Sequence, residues 1–117
     1  MLRVLITVEP RMYRQALARS LHLKRPALDV RIAPPESIEG ELASFRPHLL
    51  VRNDTDTVGA KELASVPFRV EVMYSDSMDA KIVLDGREER IKDASTDLLV
   101  LVADEAQRWL SAQDKAP

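Results

Sequence analysis

Cysteine is absent from the 117 residues, which excludes a disulfide framework, a thiolate metal site and a cysteine nucleophile. Glycine is nearly absent too. The three present, Gly40, Gly59 and Gly86, lie too far apart to build a glycine-rich phosphate loop. Long apolar runs are missing. The opening run from Met1 to Val8 carries Arg3 and breaks at Glu9-Pro10, which is too short for a secretory leader. Leu98 to Ala103 falls far below the ~20 residues that cross a bilayer. The expectation is a cytoplasmic protein that meets no membrane. Neither sign of charge is in marked excess, with 17 basic and 19 acidic side chains and a formal charge of -2. That balance gives no electrostatic reason to expect a nucleic-acid partner. The two histidines, His22 and His48, are far apart and have no cysteine or third histidine beside them, so structural roles are expected for both.

What remains is the composition of an ordinary globular domain, 45% hydrophobic and 31% charged. A single domain is expected over residues 1–112, with a frayed tail at 113–117. Leu2 to Val8 reads as a strand covered on both faces, because Val4, Leu5, Ile6 and Val8 are almost continuous. A helix is expected from Arg11 to about Lys24. Met12, Ala16, Leu17 and Leu21 share its apolar face, and Arg11, Arg14, Gln15 and Arg19 its solvated one. Pro10 suits the start of that helix and Pro26 ends it. A second strand, Leu28 to Ala33, alternates apolar and polar residues as a strand near a sheet edge does. A short helix from Ser37 or Ile38 to Phe45 follows, with Ser37 at its N-cap, and then a third strand from His48 to Arg52.

Beyond Asn53 the pattern changes. Ala60 to Ser65 has room for one or two helical turns. Phe68, Val70, Val72 and Tyr74 alternate with Arg69 and Glu71 in a fourth strand. Lys81 to Leu84 leads into Asp85-Gly86, a hairpin turn, and Arg87 to Lys92 forms the polar return. The pattern leaves open whether residues 68–92 extend a parallel sheet or form an antiparallel meander. A last helix is expected from about Asp97 to Ser111, capped by Ser95 or Thr96, its apolar face running from Leu98 to Leu110 through Trp109.

The opening Arg3 to Pro10, followed by Arg14, Ala16-Leu17 and Leu21, resembles the start of a response-regulator receiver domain, the CheY-like module of two-component signalling. Phe45-Arg46-Pro47-His48-Leu49-Leu50-Val51 resembles that family's entry into its third strand. The likeness covers about residues 2–54. It implies an α/β fold: a receiver-like (flavodoxin-like) βαβαβ N-terminal half, joined to a shortened, strand-rich C-terminal half and closed by a C-terminal helix. Receivers are phosphorylated on an aspartate at the end of the third strand, beside magnesium held by an acidic pair after the first. Six residues beyond Pro47, the family phosphoacceptor position falls on Asn53, with Asp54 next to it. An amide cannot become an acyl phosphate. Of the acidic pair only Glu9 remains, and Ser75 stands where the family has a hydroxyl.

The resemblance therefore implies a degenerate, pseudo-receiver signalling or protein-interaction domain that is not an enzyme. Its partner would be another protein or a second copy of itself. No cofactor and no metal site are expected. The alternative is a magnesium-binding or atypically phosphorylated switch using Glu9 and Asp54. Open α/β sheets bind ligands at the carboxyl ends of their strands. Glu9, Asn53, Asp54, Asp56, Ser75 and Asp76 belong near that edge, with Glu9, Asp54, Asp56 and Ser75 as a candidate cation or ligand cluster. Met73, Tyr74 and Met78 are candidates for an interaction surface, since methionine and aromatic residues are enriched at interfaces.

Overall fold

The computed structural model describes residues 1–73, 79–92 and 96–114. The elements, in chain order, are β1 (Arg3–Ile6), α1 (Arg11–Lys24), β2 (Asp29–Ile32), α2 (Ile38–Ser44), β3 (Leu49–Asn53), α3 (Ala60–Leu63), β4 (Phe68–Val72), β5 (Ala80–Leu84), β6 (Arg87–Ile91) and α4 (Thr96–Asp114). A 3₁₀ turn at Pro35–Ser37 leads into α2. Ser37 stands at its N-cap but makes no side-chain capping bond there.

The strands form one six-stranded sheet in the order β2-β1-β3-β4-β5-β6. β1, β2, β3 and β4 run parallel, whereas β5 and β6 are antiparallel to their neighbours. Residues 68–92 thus do both things that the sequence left open: β4 extends the parallel sheet, and a meander completes it. The result is an α/β fold with a mixed sheet, unlike a flavodoxin-like sheet whose strands are all parallel. Asp85 at φ 50 and Gly86 at φ 91 make the two-residue turn between β5 and β6. Two successive positive φ values match the twist of a tight hairpin, and glycine adopts the second at no steric cost.

Strand pleating divides the core in two. On one face, Val4 and Ile6, Leu49 and Val51, Phe68 and Val70, and Ala80 and Ile82 pack against Leu17 and Leu21 of α1 and Leu99, Val102 and Ala106 of α4. On the other face, Leu5 and Leu50 meet Ile38 of α2, Phe45 and Leu63 of α3 in a smaller cluster. The helices α1 and α4 are tied together at the surface by Lys24–Asp97 and Arg25–Asp104 ion pairs, at 2.7 and 2.8 Å.

The buried stripe of α1 is rotated from the expected one. Met12 is 79% exposed and Ala16 is exposed, while Arg14, Leu17 and Leu21 are buried, with Tyr13 and Ala18 packed at the edge of the cluster. Arg14 goes inward because its long aliphatic stem covers apolar surface and its guanidinium finds oxygen acceptors at the end of β1. α4 reaches Asp114, two residues into the stretch expected to be a tail. Among the described residues, no helix is long and apolar enough to cross a membrane.

Candidate functional site

The carboxyl ends of β1 and β3 lie side by side because the two strands pair in register, Ile6 opposite Val51. The pairing continues past β1, where the Thr7 N–H donates to the Val51 carbonyl at 2.8 Å. Two residues later the backbone turns toward α1, and the Glu9 N–H needs a new acceptor. Asn53 supplies it: its Oδ1 accepts the Glu9 N–H at 2.6 Å. Asn53 is only 5% exposed. The Asn53 side chain is thus a buried link between β3 and the turn after β1.

Glu9 itself is half-exposed and accepts from Arg14 Nη1 at 3.3 Å. The same nitrogen donates to the Val8 carbonyl at 3.4 Å. Asp54 follows Asn53 with its N–H on the Val72 carbonyl at 3.1 Å, and its side chain is exposed.

Asp56 belongs to a different assembly. Its carboxylate takes Arg52 in a two-pronged contact, Nε to Oδ2 at 2.7 Å and Nη2 to Oδ1, and also accepts the Val58 N–H at 3.2 Å. Arg52 Nη1 donates in turn to Glu71, its cross-strand neighbour on β4. Lys81 on β5 stands 3.6 Å from Glu71 and 3.4 Å from Glu88 on β6. Arg69 Nε approaches Glu71 at 3.9 Å, while its Nη1 donates to the Leu63 carbonyl at 2.8 Å.

These residues occupy the sheet face on which Leu50 packs, and Arg69 ties them to the end of α3. Charge pairing fills the area where apolar cover stops. Burial works against the Arg52 guanidinium charge, but the hydrogen bonds and charges of Asp56 and Glu71 outweigh it and hold its pKa above the ordinary value.

The acidic residues singled out at the strand ends are therefore divided. Glu9 sits with Arg14, Asp56 with Arg52, and Asp54 lies at the surface between them in sequence. Among the described residues, no three His, Cys, Asp or Glu side chains gather as a metal would require. Ser75, Asp76, Tyr74 and Met78 lie outside the described residues. Met73 is half-buried and donates its N–H to the Asp79 carbonyl at 2.9 Å.

Two arginines were missed by sequence reasoning, Arg14 and Arg52. Arg14 had a local signal, an acid at the strand end one turn before an arginine on the helix. Arg52 had a weaker one, Asp56 four residues on, because its other partner is set only by the pairing of β3 with β4. Compared with protein-family models, with curated proteins and with solved structures, the chain matches none.

Proposed function

We propose that this chain is a non-catalytic, degenerate receiver-like signalling domain that acts by binding a partner protein or a second copy of itself. The observation that carries the reading is the state of Asn53. Its amide is buried and hydrogen-bonded to the Glu9 backbone, so the position that would accept a phosphoryl group is occupied by a neutral structural tie. The neighbouring acid, Glu9, is engaged by Arg14 rather than left in a carboxylate pair for magnesium. The parallel order of β2, β1, β3 and β4, with α1 and α4 on one face and α2 on the other, supports the same reading. The antiparallel β5 departs from it.

Thermal unfolding with and without magnesium and beryllofluoride, a phosphoryl mimic, tests the proposal on the wild type and on Asp54→Ala. A ligand that binds only the native state adds ~2.7 kcal/mol at a hundredfold excess over its dissociation constant, a shift easily resolved for a domain of this size. The expected result is no shift in either protein. A shift present in the wild type and absent in Asp54→Ala overturns the reading and favours the magnesium-dependent switch through Glu9 and Asp54.

A further inference from the structure

At the opposite, amino-terminal edge of the parallel strands, two cavities of about 410 and 530 Å³ adjoin each other. They share Ser65, Val66, Pro67 and Trp109 in their walls. Trp109, on the last turns of α4, is held there by an edge-on contact with Phe68, ring centroids 5.5 Å apart, and by its Nε1–H donating to Asp85 at 3.2 Å. The groove is therefore continuous, with an aromatic and aliphatic wall fixed by the core behind it. Pockets of this size accommodate several side chains.

The charge along the groove is uneven. At the wider end Arg69 is offset by Asp85 and Glu88. At the narrower end the charged side chains are Arg3 and Arg46, with His48 beside them and no acid in the lining. Among the described residues, neither arginine has an ion-pair partner, although Arg25, Arg31 and Arg52 all do. Arg3 uses Nε to donate to the Arg46 carbonyl at 2.9 Å, which fixes its stem and leaves its terminal nitrogens for other acceptors. Its backbone N–H donates to His48 Nδ1 at 2.9 Å, which holds that ring beside the arginine. Arg46 has φ 51 and is exposed.

We propose that this groove binds a peptide segment in which acidic residues lie to one side of an apolar side chain. The apolar residue lies against Trp109, Val66 and Pro67, and the carboxylates meet Arg3 and Arg46. The inference rests on the reading of the chain as a protein-interaction domain and names the chemistry of its partner. An aromatic anchor beside unpaired arginines is the composition that concentrates binding energy in protein interfaces.

The test is selection from a library of random displayed peptides on the wild-type protein, followed by titration of an enriched synthetic peptide. Trp109 is the only tryptophan in the chain, so its fluorescence reports occupancy directly. The expected peptides carry Asp or Glu on one side of a large apolar residue. They change Trp109 emission saturably, and bind at least tenfold more weakly to Arg3→Gln/Arg46→Asn. Asparagine tolerates the positive φ at Arg46, and the single variant Arg46→Asn serves if the double one does not fold. Failure to enrich any peptide overturns the proposal. So does enrichment of basic peptides, or equal binding by a folded variant. Because beryllofluoride acts at the far edge of the sheet, failure here leaves the magnesium experiment to judge the receiver-like reading separately.

Discussion

Arg52 and Glu71 face each other across β3 and β4 with both side chains more than nine-tenths buried, an ion pair inside the sheet rather than on it. Arg52 is the hub, since it also holds both oxygens of Asp56. Removing one partner of a buried pair leaves an uncompensated charge, which costs about 3–5 kcal/mol. Arg52→Met takes from Asp56 its ion-pair partner and leaves Glu71 to Lys81 and the more distant Arg69, and is expected to reach that range. Glu71→Gln leaves Arg52 with Asp56 and is expected to cost less. Denaturant unfolding of both variants checks the order, and a larger loss for Glu71→Gln would contradict the role given to Arg52.

Asn53 makes a second prediction. Asn53→Ala removes the acceptor of the Glu9 N–H, for a loss of about 1–3 kcal/mol. Asn53→Asp keeps the acceptor but buries a carboxylate, whose pKa in the folded variant rises. The variant should therefore trail the wild type at neutral pH and recover as pH falls and the acid is protonated. Urea midpoints for the three proteins, measured from pH 7 to pH 4, settle the sign.

The ion pairs between α1 and α4 predict the shape of the acid limb. The hydrogen bond from Arg25 holds Asp104 below the ordinary carboxylate pKa of 3.8, and Lys24 does the same for Asp97. With folded-state values depressed, their contribution is complete above the unfolded pKa and is lost as pH drops through the folded one. Asp104→Asn should flatten the stability profile of the wild type below about pH 4 and leave the remaining ion pairs in place. An unchanged acid limb would show that the pair contributes nothing in solution.

Trp109 links the last helix to the hairpin turn through Asp85 and to the core through Phe68. Trp109→Phe keeps a ring against Phe68 and loses one hydrogen bond, a cost of about 1 kcal/mol. Trp109→Ala removes the ring altogether and should cost about 3 kcal/mol, the low end for a large aromatic because the side chain is only half-buried. Thermal melts of the two variants distinguish the contributions.

Periodicity made the elements legible but said less about which side of each was covered. The α1 boundaries at Arg11 and Lys24 were readable from the flanking prolines. Its buried stripe was not, because Arg14 scores as polar while its guanidinium is satisfied by Val8 and Glu9. The alternation in β4 correctly set Phe68 and Val70 apart from Arg69 and Glu71, yet it could not show that the charged side is enclosed. That depends on Arg52 and Lys81 arriving from neighbouring strands, which a local pattern does not contain. At the candidate site, the spacing from Pro47 put an amide at residue 53. The use of that amide, as a tie to Glu9, required the register of β1 with β3.

The interior position of β1 also governs the order in which the chain can assemble. Both of its neighbours, β2 and β3, come later in the sequence, so during synthesis Val4, Leu5 and Ile6 leave the ribosome well before Leu49, Leu50 and Val51 exist to receive them. The β5–β6 hairpin closes locally, but β1 stays incompletely paired until the middle of the protein emerges. The strand that anchors the finished sheet thus waits for both of its neighbours while the protein is being made.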